Sequence, residues 1–370
     1  MEKIPLIKPF IPDDAVKRIE NVLRSGFLTE GTVTKEFETL CKDYIGVNHA
    51  FAVCNCTVGL EAALRAAGIG PGDEVIVPDY TYPATASVVH LVGAIPVLVD
   101  VKPDSMLIDL EKAASAITSC TKAIIPVSLF GNPLDYEKLR QFKEKHGIIV
   151  IEDAACSLGA KYKDTMVGAW ADISVFSMHP RKFVTTGEGG LVTTNNSEYA
   201  AFIDAYKHFG IQKSAERESM VFGLIGTNYK LCNIQAALGV SQMYMIDKLL
   251  ERRLALARKY DEMLKDIEGV KLPSIVSGGV HSYQTYIIFI SDRDRVMKSM
   301  REQGIEAQIG TYSLHTHPAF QNDSIRKLCG DLNGSLESFN KTLALPLYHD
   351  MTPVNQAKVV ESLRTHLLAD

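Results

Sequence analysis

The sequence predicts an α/β protein, with a mostly parallel central sheet covered by helices on both faces and a smaller α+β domain after it. Three observations carry this expectation. Seven short apolar runs, at 51–54, 74–78, 96–100, 123–128, 148–152, 173–177 and 190–194, include several that are β-branched and continuous rather than alternating, as strands buried on both faces are. Helical stretches lie between them, and strand–helix alternation builds a parallel sheet. Beyond Pro273 the composition changes to a mixture of strands and helices.

In chain order, the run at 51–54 passes through Asn55-Cys56-Thr57 into a helix at 58–67. The runs at 74–78, 96–100 and 123–128 follow, and a helix at 135–146 is stopped by Gly147 before the run at 148–152. The runs at 173–177 and 190–194 are joined by a loop with no crossover helix, which predicts one antiparallel pairing. From 233 to 267 the chain reads as one long helical segment without proline. Leu249, Leu256 and Tyr260 form its apolar stripe, and Asp247, Lys248, Glu251, Arg252 and Arg253 its charged side. A strand at 286–290, a helix at 293–303 and a final helix at 353–368 complete the chain. The expected division is a large domain at 1–245 and a small α+β domain at 246–370.

With 370 residues the chain is long enough for this two-part organisation. A formal charge of −5 and the lack of a basic block argue against a nucleic-acid surface. The longest uncharged apolar stretch, 87–99, is too short to span a bilayer and contains Pro96. Glu2, Lys3 and Lys8 interrupt the N-terminus where a signal peptide would be apolar. Seven scattered cysteines without a CxxC pair suggest reduced thiols and a cytoplasmic location. Neither Cys54-x-Cys56 nor His315-x-His317 has neighbours that complete a metal-ligand set, so no metal is expected.

The chemistry centres on two residues. The run at 148–152 ends in Glu152-Asp153-Ala154-Ala155, and the next run ends in a glycine-flanked loop containing Lys182. A carboxylate at one strand end and a lysine just past the next suit pyridoxal 5′-phosphate. The amine forms a Schiff base, and the aspartate keeps the pyridinium nitrogen protonated. Asn55-Cys56-Thr57-Val58-Gly59 joins a strand to a helix and suits a phosphate, because a helix N-terminus offers free N–H groups. A plain N-cap by Asn55 or Thr57 is equally consistent with these residues.

The segments Ile151-Glu152-Asp153-Ala154-Ala155, Ser177-x-His179-Pro180-x-Lys182-x-x-Thr185-Thr186-Gly187-Glu188-Gly189-Gly190 and Gly226-Thr227-Asn228-Tyr229 resemble the DegT/DnrJ/EryC1/StrS family of nucleotide-sugar aminotransferases. The resemblance runs from about Ile4 to the last helix. It implies the aspartate aminotransferase fold of type I, Lys182 as the residue carrying the internal aldimine, and Asp153 as the partner of the ring nitrogen. It also implies Thr57 and Ser177 as phosphate ligands, Tyr82 stacked on the ring, and Asn228 reaching the phosphate of a neighbouring subunit. Cys56 stands where the family has glycine, its N–H still able to serve, and Cys156 where glutamine usually bonds the phenolic oxygen. A thiol is the weaker donor.

The substrate side is less well defined. His179 and Lys230, with Tyr312 and His315 on the 312–320 segment, are the candidates. A turn role is equally open for His179, and Lys230 replaces the arginine of many relatives. The segments 28–32, 207–220 and 312–320 are expected to select the acceptor. The expected reaction is transfer of an amino group from an amino acid, glutamate in the family, to a nucleotide-linked ketosugar for polysaccharide or amino-sugar biosynthesis. The expected assembly is a homodimer with shared sites. Near-neutral operation requires a lowered Lys182 pKa, which partial burial and the adjacent Schiff-base chemistry are expected to give. Amination of a free keto-cyclitol is the alternative. A sugar dehydratase would carry histidine in place of Lys182, and a non-enzymatic role would predict loss of Lys182 or Asp153.

Overall fold

The computed structural model describes residues 3–212 and 219–367. Its first seven long strands are β1 (His49–Val53), β2 (Glu74–Pro78), β3 (Ile95–Val99), β4 (Thr121–Ile124), β5 (Ile149–Asp153), β6 (Ile173–Ser177) and β7 (Gly190–Thr194). They form one sheet in the order β1-β7-β6-β5-β4-β2-β3, extended at the β3 edge by Lys327–Cys329. The block from β6 to β3, with Lys327–Cys329, is parallel throughout. β7 is antiparallel to β6, as the helix-free loop predicts, and antiparallel to β1 as well.

Burial on both faces explains the continuous apolar runs. Val75, Val77, Ile151 and Val175 enter one core, while Ile76, Val150 and Phe176 enter the other. The helix Cys56–Ala66 crosses the first of these faces at close range. A Cβ on Gly59 would lie 2.7 Å from Val175 Cγ1 and 3.1 Å from Val192 Cγ2, so only glycine lets the helix sit this near. Gly190 plays the same part for β7, where a Cβ would meet the Asn55 carbonyl group at 2.7 Å.

The expected helix over 233–267 is two helices, Asn233–Met243 and Ile246–Leu264, joined through Tyr244 and Met245. The first is buried nearly all round, with Ala236, Ala237, Gly239, Val240 and Met243 inside the large domain. The second has one apolar stripe, Leu249, Leu256, Ala257, Tyr260 and Leu264. A straight axis cannot serve both environments, and the break falls where the burial pattern changes. Arg253 is also not on a charged surface. It is buried, and its Nη1 donates to the carbonyls of Tyr283 at 2.9 Å, Gln284 at 3.3 Å and Leu347 at 3.4 Å.

A third core joins Leu256, Tyr260 and Leu264 to Tyr286, Ile288, Leu343, Leu345, Val359 and Leu363. Its small sheet pairs Tyr286–Phe289 and Gln308–Ile309 with Thr342–Leu345. One bridge closes it at the N-terminal side, and one strand pair ties it to the end of β2. Ile4 bridges to Ile305, and Tyr312–Ser313 pairs with Tyr80–Thr81 just past β2. Among the described residues no helix is long and apolar enough to cross a membrane.

Candidate active site

The parallel strands direct their C-terminal ends toward one edge, where open α/β sheets bind ligands. Asp153 terminates β5 there and is buried. Its Oδ2 accepts from Thr85 Oγ1 at 2.8 Å and its Oδ1 from the Ala155 N–H at 3.2 Å. The neighbouring Glu152 follows the strand alternation to the other face, where Tyr136 and Ser174 donate to it at 2.5 and 3.2 Å and Ser128 donates as well. Burial raises the Asp153 pKa, against the lowering effects of Thr85, Ala155 and Lys182. A cationic ring N–H beside Asp153 would counter that burial by favouring the carboxylate.

Lys182 occupies the loop between β6 and β7, in a turn where its N–H donates to the His179 carbonyl at 2.8 Å. Its Nζ lies 3.0 Å from Cys156 Sγ. In the protein alone, its pKa is raised. Burial pulls it down, but Cys156, Cys56 and Asp153 together outweigh burial. The Cys56 thiol is pushed well up by burial, with the Asp153 charge adding to the effect. Its Sγ lies 3.9 Å from the Val175 carbonyl, against the sheet.

The helix Cys56–Ala66 is capped by Asn55, whose Oδ1 accepts from the Val58 N–H at 3.0 Å. The N–H groups of Cys56 and Thr57 precede the helix's own ladder. The Thr57 hydroxyl has no partner among the described residues, so Asn55 does the capping and Thr57 is left available. Ser177 ends β6 opposite Gly190, and its Oγ accepts weakly from the His179 N–H at 3.4 Å. An N-terminal turn with unspent N–H groups, and hydroxyls at Thr57 and Ser177, fit a phosphate. Tyr82 is exposed, its ring 6.4 Å from that of Tyr312, which arrives on the strand paired with Tyr80–Thr81.

The remaining candidates are more scattered. His179 Nδ1 accepts from the Arg181 N–H at 3.2 Å, and its Nε2 lies 3.8 Å from Glu188; burial lowers its pKa. Asn228 and Lys230 flank the β1 edge, where the Cys54 N–H donates to the Tyr229 carbonyl at 2.9 Å. Lys230 donates to the Asn228 side chain and lies 4.6 Å from the Phe209 ring centroid. Neither makes a hydrogen bond to Lys182, Asp153 or Ser177 among the described residues. His315 is anchored: its Nδ1 lies 2.6 Å from Asp79 Oδ2, and its N–H donates to Asp79 Oδ1 at 2.8 Å. The segment 207–220 lies partly outside the described residues, at 213–218. Thr85, which holds Asp153, was not singled out from the sequence; its only signal was a hydroxyl in the first turn after Tyr82-Pro83.

The DegT/DnrJ/EryC1/StrS aminotransferase family matches residues 9–364. The spore coat polysaccharide biosynthesis protein SpsC of Bacillus subtilis is 31% identical over 98% of this chain and 96% of its own. The sugar aminotransferase CalS13 from Micromonospora echinospora is 27% identical, with a TM-score of 0.92 over 98% of this chain and 99% of that one. Spr1654 from Streptococcus pneumoniae, solved in a PLP form, is 28% identical, with a TM-score of 0.92 over 98% of both chains. The lysine, the buried aspartate and the open helix N-terminus fit pyridoxal phosphate, which takes a Schiff base, a carboxylate at its ring nitrogen and a phosphate cradle. This chain belongs to the DegT/DnrJ/EryC1/StrS aminotransferase family and is a pyridoxal-phosphate-dependent aminotransferase.

Proposed function

We propose that the enzyme transfers an amino group from glutamate to a ketosugar carried on a nucleotide, in the cytoplasm and for polysaccharide or amino-sugar biosynthesis. The observation that carries this reading is the convergence of Lys182, Asp153 and Cys156 on one sheet edge beside the free first turn of Cys56–Ala66. The likeness to SpsC, a polysaccharide biosynthesis protein, and to CalS13, a sugar aminotransferase, supports a sugar as acceptor.

Bound pyridoxal phosphate supplies an electron-accepting ring and a carbon, C4′, that carries the nitrogen in transit. The chain's residues do the rest. Cys56 and Thr57 N–H groups with the Thr57 and Ser177 hydroxyls would hold the phosphate. Asp153 would accept from the ring N–H and favour its protonated form. Tyr82 would pack against the ring, and Cys156 would donate to its phenolic oxygen. Lys182 would hold the cofactor covalently through its Nζ, and its amine, when free, would be the base that takes and returns the donor's α-proton. His179, Lys230 and Tyr312 contact the acceptor. Asn228 completes the phosphate site of a second subunit; Phe27, Val221, Phe222 and Ile225, large and exposed, support an apolar dimer surface.

The test is a panel of nucleotide ketosugars and free keto-cyclitols incubated with glutamate and the purified enzyme, scored for 2-oxoglutarate and for aminated product. Amination of a nucleotide ketosugar alone is the expected result. Amination confined to free cyclitols would sink the acceptor assignment.

A further inference from the structure

Lys182 sits between two peptide groups that a single side chain holds. The carboxamide of Gln284 donates from Nε2 to the Arg181 carbonyl at 2.6 Å and accepts at Oε1 from the Phe183 N–H at 3.1 Å. The two partners fix the orientation of the amide, since a carbonyl only accepts and an N–H only donates. Gln284 is buried, so breaking either contact would strand a polar group away from water. The Lys182 backbone cannot slide or rotate without losing one of them.

Gln284 comes from a distant part of the chain, just before the strand Tyr286–Phe289. Its own carbonyl and that of Tyr283 accept from Arg253 Nη1, and the Arg253 guanidinium carbon lies 5.5 Å from the Phe183 ring centroid. Two residues away, the Ser282 N–H donates to the Gly131 carbonyl at 3.0 Å, and Ser282 Oγ lies 3.5 Å from the Cys156 carbonyl. The stretch from Ser282 to Gln284 therefore touches both sides of the 3.0 Å contact between Lys182 and Cys156. Within the loop itself, Lys182 has only the turn bond to His179.

We propose that Gln284 is a positioning residue for Lys182, setting the reach of its Nζ by bracketing its backbone from the C-terminal part of the chain. The proposal rests on the reading of Lys182 as the residue that binds the cofactor covalently.

The full-length chain, stripped of cofactor and given pyridoxal phosphate, separates two steps: noncovalent capture, read by quenching of protein fluorescence, and covalent attachment, read by growth of the visible band. Gln284→Met removes both contacts at nearly constant volume. Gln284→Glu keeps the acceptor for Phe183 but loses the donor to Arg181. Capture should be unchanged in both. Attachment should slow by roughly 10- to 100-fold in Gln284→Met, the scale of a small misplacement of a reacting group, and by less in Gln284→Glu. Tyr260→Phe, which removes a buried 2.9 Å bond to the Pro346 carbonyl in the third core, controls for general destabilisation. Attachment at the wild-type rate in natively folded variants overturns the proposal, as does an equal slowing in Tyr260→Phe. If Gln284→Met fails to fold, Gln284→Glu decides by the same readout. Borohydride reduction and peptide mapping keep the two readings apart. Cofactor fixed on another lysine defeats the reading of Lys182, whereas normal attachment at Lys182 defeats only the role of Gln284.

Discussion

Asp153 shows how much depends on a few contacts around one carboxylate. Burial alone favours its neutral form, and the Thr85 and Ala155 donors offset only part of that. A cationic ring nitrogen would supply the remainder, so cofactor protonation and carboxylate ionisation support one another. Asp153→Asn keeps the shape and removes the charge. We expect kcat to fall on the order of 10²–10³-fold, with a smaller loss of cofactor affinity because the phosphate contacts lie elsewhere. Steady-state rates and a cofactor titration check this, and near-normal kcat would mean that another group holds the ring nitrogen. The placement of Asp153 at a strand end and of Lys182 in the following loop was legible in the sequence because strand ends and a glycine-flanked loop are local patterns. Thr85 and Gln284 were not, since their roles depend on contacts 68 and 101–103 residues away.

Elements were read most accurately where the strand is covered on both faces. The expected runs at 74–78, 173–177 and 190–194 coincide with β2, β6 and β7. The break at Tyr244–Met245 was missed because no proline or glycine marks it; the change in burial between the flanking helices decides it. Packing of the helix Cys56–Ala66 leads to a second prediction. Gly59→Val would drive a branched side chain into Val175 and Val192, costing about 1–3 kcal/mol of stability by overpacking. Chemical denaturation measures the loss, and cofactor affinity should fall with it because the same helix presents Cys56 and Thr57. At the end of the helix Ser197–Lys207, His208 contributes a pH dependence. Its hydrogen bonds to Asp204 and Glu30 raise its pKa to about 9 against burial. A pKa raised on folding stabilises fully below the unfolded value, near 6.5, and the contribution is lost as pH rises through about 9. The stability gap between wild type and His208→Gln should therefore be widest below pH ~6.5 and close above ~9. A gap that stayed constant across that range would contradict this account.

At the scale of the whole molecule, one chain does not bring every expected site residue together. Lys182, Asp153, Cys156 and Cys56 cluster, whereas Asn228 and Lys230 lie at the β1 edge bonded to each other. A second subunit that places Asn228 in its partner's phosphate site would account for this arrangement and would cover Phe27, Phe222 and Ile225. The symmetry of a two-fold dimer then makes complementation a sharp test. Lys182→Ala and Asn228→Asp should each be inactive alone. In a mixed dimer of the two, one site takes its lysine from the Asn228→Asp subunit and its asparagine from the Lys182→Ala subunit, and is whole. The other site collects both defects. Mixing with proven subunit exchange should restore up to about half the wild-type activity per mixed dimer, one working site of two. If Asn228 instead served its own subunit, every site in the mixture would carry one defect, and no activity would return.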